Sequence, residues 1–292
     1  MYLKCNGAKK VITRIEVKNF KSYRMGVLPL ASLTVLIGAN ASGKSNIIEA
    51  LRLLAIIAKG DRLSFLGHTP QQSENMFRGE VKNLLYRGAK SLQIACEVTT
   101  KEFEGWDRLE IHLGFSSDGE LHVTQEKITG ETSTVPLYQI TSEPQGAGSD
   151  VYVEYNNFAR GGKKPKIVCS SQMAIFTQLL SEIRFHPENA ESQEKIPQIT
   201  NNYVNWLSGI VFLDPEPSAM RSYGYITDTL LDKRGENLSG VLYNLCQNSD
   251  TKTEVLEFVK SLPEQDIEDI GFIETPRAEV MLQLTETRSE EH

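Results

Sequence analysis

The 292-residue sequence lacks any apolar run approaching the ~20 residues that a membrane-crossing helix requires. Its nearest approach, 51–58, is eight residues long and already contains Arg52. The opening Met-Tyr-Leu-Lys-Cys-Asn-Gly has no apolar centre of the kind found in a secretion signal, so a cytoplasmic protein is expected. Cysteine is scarce: Cys5, Cys96, Cys169 and Cys246 stand far apart, with no C-x-x-C pair. That spacing argues against zinc or a disulfide framework and leaves free buried thiols as the simpler reading. His68, His112, His122, His186 and His292 are equally scattered, without the H-E-x-x-H spacing of a metal site. No basic excess is present either. The formal charge of −7 comes from 250–292, with 12 acidic and 4 basic residues, and the first 249 residues sit near +1. Overall charge therefore gives no pull toward nucleic acid, and the acidic stretch reads as a solvated face or a partner surface. No internal repeat is found.

Hydrophobic residues make up 40% of the chain, which is ample for a core in one large domain or two modest ones. The most informative stretch is 33–59. An apolar run, Leu33-Thr34-Val35-Leu36-Ile37, leads into Gly38-Ala39-Asn40-Ala41-Ser42-Gly43-Lys44-Ser45, a complete G-x-x-x-x-G-K-S. Ile47, Ile48, Leu51, Leu54, Ala55 and Ala58 then recur at helical spacing, and Gly60 supplies a stop. The pattern predicts a buried parallel strand, a phosphate loop and a helix. Glycines let the loop backbone turn tightly and bring its N–H groups to phosphate oxygens, and the helix N-terminus adds partial positive charge. Lys44 is expected to reach the terminal phosphates and the Ser45 hydroxyl to ligate Mg²⁺. The plainer alternative is a glycine-containing turn that binds nothing.

Ahead of this stretch, Arg14-Ile15-Glu16-Val17-Lys18 alternates with the period of a half-buried strand. Behind it, 60–87 is polar and irregular, as in a long loop or a short insertion with a helix. Alternation returns at Leu92, Ile94, Cys96 and Val98, and again at Leu109, Ile111, Leu113 and Phe115. Ser116-Ser117-Asp118-Gly119 then closes a hairpin onto Leu121 and Val123. Residues 129–150 are expected to form a surface loop, followed by strands at 151–155 and 166–170. The basic turn between them, Arg160-Gly161-Gly162-Lys163-Lys164-Pro165-Lys166, is either a solvated loop or a phosphate contact. The run 173–180 is apolar-periodic. Helices are expected at 237–245 and 251–262, and short strands at 267–273 and 279–284.

The opening I-x-x-I-x-V-x-N-F-K-S-Y, ahead of G-A-N-A-S-G-K-S-N, resembles the SMC, RecF and OLD-type ATPases, whose heads are built like those of ABC transporters. It is most similar to prokaryotic AAA-family ATPases of this branch, many of them defence-associated. The blocks 212–221 and 237–245 also look like parts of those proteins. The resemblance implies an α/β fold: a P-loop NTPase, ABC-type head with a mixed ATP-binding core, an antiparallel β meander and a helical subdomain. It treats 1–292 as the N-terminal part of a single head. Within it, 1–60 holds the N-terminal strands, Walker A and first helix; 61–170 is an antiparallel β region; 171–292 is mainly helical with C-terminal strands. The binding residues it implies are Gly38, Ala39, Asn40, Ala41, Ser42, Gly43, Lys44, Ser45 and Asn46. Lys21 and Ser22 are further candidates beside the nucleotide, or else a polar turn at a strand end. Gln172 is the candidate for the glutamine that touches Mg²⁺ and the attacking water, with Gln178, Gln193 and Gln198 left open. An ordinary polar helix-start residue would fit Gln172 as well.

Two stretches imitate the remaining ATPase motifs. Ile210-Val211-Phe212-Leu213-Asp214-Pro215-Glu216 resembles a Walker B strand, but Pro215 separates the acids and disturbs the strand end. Leu238-Ser239-Gly240 resembles the signature, yet it follows the imitation of Walker B where the family has it before. It is better read as the first turn of an amphipathic helix. The expectation is therefore the front part of an ATPase that binds ATP and Mg²⁺, with Lys44 as its catalytic cation. Two heads would sandwich ATP to control an effector, in anti-phage defence or DNA maintenance. The competing readings are a non-hydrolysing nucleotide-sensing subunit that recruits a nuclease or toxin, and a DNA-binding repair head.

Overall fold

The computed structural model describes residues 12–31, 34–68, 80–99, 101–131, 133–142, 149–262 and 266–286. Its contacts divide the chain into two compact units, Met1–Ile210 and Val211–His292, where the sequence reading treats 1–292 as one head.

An eight-stranded sheet organises the first unit, in the order β2-β1-β3-β4-β5-β6-β7-β8. Its strands are β1 (Ile12–Phe20), β2 (Tyr23–Pro29), β3 (Ser91–Val98), β4 (Arg108–Phe115), β5 (Leu121–Gly130), β6 (Ser133–Ile140), β7 (Asp150–Tyr155) and β8 (Lys166–Ser170). Every pairing is antiparallel. The period-two pattern explains the two faces. Ile15, Val17, Ile94, Cys96, Leu109 and Ile111 point inward, paired across β1, β3 and β4, and all are buried. Their outward neighbours form a cross-strand ladder of charges, in which the Arg108 guanidinium donates to Glu16 Oε2 at 2.6 Å and Glu97 Oε1 at 2.8 Å.

Among the described residues two helices cover the inner face, α1 (Lys44–Ile57) and α3 (Ala190–Ser208), with the short α2 (Phe65–His68) between them in sequence. Leu53, Leu54 and Ile57 of α1 are buried in the same core as Ile196, Ile199 and Tyr203 of α3. The buried face of α1 also takes in Ile47, Ala50, Ala55 and Ala58, whereas Ile48, expected on that face, is 40% exposed. Sequence reasoning did not single out α3, because Pro197 interrupts its pattern. The helix tolerates that residue while Thr200 Oγ1 donates back to the Ile196 carbonyl at 2.8 Å.

Three expectations are corrected here. Residues 34–37, read as a buried strand, have no regular structure, and Val35 and Ile37 are 67% and 91% exposed; Leu33 lies outside the described residues. A parallel strand needs parallel neighbours, and among the described residues every ladder is antiparallel. Residues 129–150, read as a loop, contain β6, which buries Leu137 and Tyr138. Its register breaks between Ile128 and Gly130, opposite the stretch that holds Pro136, so the proline costs no ladder bond. The run 173–180 makes only the helical turn Phe176–Gln178, since the Ile175 and Phe176 amides donate to the Glu126 carboxylate at 2.8 and 2.7 Å.

The second unit packs α4 (Leu238–Cys246) and α5 (Ser249–Lys260) on a three-stranded sheet ordered β10-β11-β9. Its strands are β9 (Gly224–Tyr225), which was not expected, and β10 (Ile267–Glu274) and β11 (Glu279–Glu286), which lie close to the expected bounds. Leu242, Val255 and Ile270 form its small core. Asn248 caps α5 by accepting from the Asp250 and Thr251 amides.

Candidate functional site

The loop 38–45 runs directly into α1, and its backbone shows why glycine stands where it does. Gly43 has φ 96° and Ala41 φ 63°, both left-handed. A Cβ at Gly43 would stand 3.0 Å from the Tyr23 hydroxyl, so the position is tight as well as twisted. The two reversals fold the loop over itself, and the Lys44 ammonium donates to the Gly38 carbonyl at 2.6 Å, to the Ala39 carbonyl at 2.7 Å and to Ser42 Oγ at 3.3 Å. One cation is thus held at the centre of the turn by side-chain and backbone oxygens.

The electrostatics favour an anion. Helix α1 begins at Lys44 with Gly43 as its cap; among the described residues no side chain caps it, and no acidic residue lies in its first turn. The first N–H groups of a helix have no intrahelical acceptor, and the dipole leaves partial positive charge there. Uncapped amides plus an ammonium are the donor set that phosphate oxygens satisfy. Ser45 places a hydroxyl on that first turn. Among the described residues no cluster of three or more His, Cys, Asp or Glu side chains could hold a metal by itself. A hydroxyl beside bound phosphates still fits Mg²⁺, which keeps most of its waters.

The neighbouring turn supplies the remaining candidates. Ser22 Oγ accepts from Asn46 Nδ2 at 2.7 Å, which places both beside Gly43. Lys21 is different. Its ammonium forms an ion pair with Glu49 of α1, and the two side chains are only 9% and 5% exposed. A cavity of about 290 Å³ lies between β2 and the loop, lined by Tyr23, Val27, Leu36, Ser42, Lys44 and Ile47 among others.

Gln172 is not brought to this loop. Its carbonyl accepts from the Leu63 amide at 2.8 Å, beyond the C-terminal end of α1, a helix that is itself ~21 Å long. Among the described residues the buried Gln172 Oε1 has no hydrogen-bond partner. Gln178 is occupied structurally: its amide bridges the Ser170 N–H and carbonyl at 2.9 and 2.8 Å.

The two imitations resolve into ordinary structure. No strand forms over 210–217, and Glu216, in the second unit, accepts from Ser218 Oγ at 2.7 Å and pairs with Arg234. These partners hold its carboxyl below the usual range, Ser218 first and Arg234 next. Leu238-Ser239-Gly240 opens α4, as expected. Gly240 is needed there because β9 passes so close that a Cβ would stand 2.3 Å from the Tyr225 carbonyl. Ser239 Oγ accepts from the Leu282 amide at 3.2 Å. In the basic turn, Lys164 Nζ donates to Asn157 Oδ1 at 2.9 Å and Lys166 pairs with Glu154 at 3.2 Å.

Residues 11–97 match the family model described as the AAA ATPase domain, which includes β1, β2, the phosphate loop and α1. The expected AAA-family resemblance is met over that segment. No curated protein matches the chain. Two of the solved structures that overlap it illustrate the likeness. One is the Smc head domain of Pyrococcus furiosus, crystallised with an extended coiled coil and the C-terminal domain of ScpA. It is 25% identical with a TM-score of 0.29, over 43% of this chain and 31% of that one. The other is the recombination mediator protein RecF with ATP, from the RecFOR pathway. It is 18% identical with a TM-score of 0.28, over 47% of this chain and 30% of that one. The chain thus spans about a third of the length of each. Among the described residues no helix is long and apolar enough to cross a membrane.

Proposed function

We propose that the first unit carries the nucleotide-binding part of an ATPase head, and that Mg·ATP docks where loop 38–45 meets α1. The observation that carries this reading is the convergence of the Lys44 ammonium and the uncapped α1 N-terminus on one left-handed loop. Lys44 would exchange its loop carbonyls for phosphate oxygens and neutralise charge that builds on them. The amides of Gly43, Lys44 and Ser45 orient the phosphates, and Asn46 with Ser22 borders them. The Ser45 hydroxyl would hold Mg²⁺, which would offset phosphate charge and so ease attack by water. We assign Gln172 no part in this, given its place by the far end of α1.

The exposed apolar residues Val35 and Ile37 support a partner segment that supplies a parallel strand beside 34–37. In the resemblance to SMC and RecF heads, such a head acts in the cytoplasm as an ATP-gated dimer that controls an effector in DNA maintenance or phage defence. One observation favours a second reading, of a chain that binds nucleotide without turning it over. Asp214 and Glu216 follow no strand, and Glu216 is committed to Arg234.

Titration of the full chain with Mg·ATP tests the site. Lys44→Ala should weaken binding by roughly tenfold or more; equal affinity would end the assignment. Phosphate release that Glu216→Gln abolishes would favour catalysis over the second reading.

A further inference from the structure

The turn between β1 and β2 is held in an uncommon conformation. Asn19 and Lys21 have φ of 54° and 49°, in a region that side chains other than glycine enter rarely. Such a conformation persists when its surroundings over-determine it, and here they do. The Lys21 amide donates to the Leu84 carbonyl at 2.8 Å, the Tyr86 amide donates to the Asn19 carbonyl at 2.9 Å, and Phe20 bridges Leu85. The backbone of the turn is therefore pinned on one side by 84–86.

Its other side faces α1, and three consecutive side chains meet the helix cap and two helix positions, spaced by three. Tyr23 donates its hydroxyl to the Gly43 carbonyl at 3.3 Å, Ser22 accepts from Asn46, and Lys21 pairs with Glu49. Positions 43, 46 and 49 follow one another at the i,i+3 spacing of neighbours on successive turns at the start of the helix. The contacts grade from the phosphate loop inward to a buried ion pair. Breaking such a pair by removing one partner leaves a charge stranded, so it resists displacement.

We infer that the 19–23 turn is a clamp that sets the position of the phosphate loop, and that Lys21 and Glu49 are positioning residues that act through α1. For its functional consequence this rests on the nucleotide reading above. Lys21 would then influence nucleotide affinity without touching the nucleotide, in contrast to the direct contact that the family resemblance implies for it. The clamp spans the junction at Gly43, where the loop reverses, so a shift of the turn carries directly into the amides that receive phosphate.

Two measurements on the full chain decide this. In the first, Mg·ATP affinity is measured for Lys21→Met, Glu49→Gln and the double variant Lys21→Met/Glu49→Leu, which replaces the pair by apolar contact. Each single variant should lose on the order of tenfold, as loss of an orienting partner typically does, and the double variant should recover most of it. A loss confined to Lys21→Met, with Glu49→Gln binding like the unaltered protein, would overturn the clamp in favour of direct contact. In the second, amide hydrogen exchange over 38–50 is followed without nucleotide. Protection should fall in both single variants and in Asn46→Ala, whose side chain is partly exposed. Unchanged exchange in all of them would also overturn the proposal. If the unaltered protein fails to bind Mg·ATP, the nucleotide reading falls, and the exchange measurement still decides whether the turn holds the loop.

Discussion

Raising the pH from about 5 to about 8 should cost the first unit roughly 3 kcal/mol through one side chain, Glu126. It lies on β5 at 2% exposure, facing the core because the register shift between His112 and Leu113 sets it opposite Ile111. Its carboxylate accepts from the Tyr138 hydroxyl at 2.6 Å and from the Ile175 and Phe176 amides at 2.8 and 2.7 Å. Burial pushes the carboxyl up to about 7 from 4.5, against these three donors, which pull it down. Tyr138 is itself pushed well above its usual value, first by burial and then by Glu126, so it stays a donor throughout. The folded state binds the Glu126 proton more tightly than the unfolded chain does. The resulting stability is complete below about pH 4.5 and is lost as the pH climbs past about 7. At about 1.4 kcal/mol per pH unit, the part of that interval above about pH 5 gives the figure above. Both tryptophans, Trp106 and Trp206, belong to the first unit, so urea unfolding followed by their fluorescence reports on it alone. Glu126→Gln removes the titration. Subtracting its pH profile from that of the unaltered protein cancels every other group. The difference should fall as the pH rises through 5 to 7; a flat or rising difference would refute the reasoning and show that the donors outweigh burial.

Other substitutions test the packing. Leu54→Ala, at a fully buried position of α1, should cost the first unit about 2–5 kcal/mol in the same unfolding measurement. Gly240→Ala would set a Cβ 2.3 Å from the Tyr225 carbonyl and 2.8 Å from Asp228 Oδ2. A loss of about 1–3 kcal/mol is expected in the second unit, seen as faster hydrogen exchange over 211–286 with the tryptophan signal unmoved. Arg108→Met removes the guanidinium that Glu16 and Glu97 share on the solvent face. Its cost should be only about 1 kcal/mol, because the group is partly exposed and screened, and it should shrink at high salt.

Much of this was legible locally. The G-x-x-x-x-G-K-S stretch and the spacing after it located the loop and α1, since glycine permission and helical periodicity are properties of neighbouring residues. Alternation located β1, β3 and β4 for the same reason, and Asn237 with Pro263 bracketed the two helices of the second unit. Sequence failed where a distant partner decides the outcome. Helix α3 survives an internal proline because its apolar side packs into the core, and β6 forms because β5 and β7 pair with it. Apolar content at 34–37 signalled a strand, but strand formation needs a neighbour, and the described residues offer none in parallel.

The sequence by itself determined the phosphate loop, the helix behind it and the alternating strands, because their signals are carried by residues within a few positions of one another. Only the tertiary structure decided that Lys21 spends its charge on Glu49, that Gln172 lies by the far end of α1 from Lys44, and that Glu126 sits in the core. Those outcomes depend on which segments meet after the chain has folded, and no local spacing encodes them.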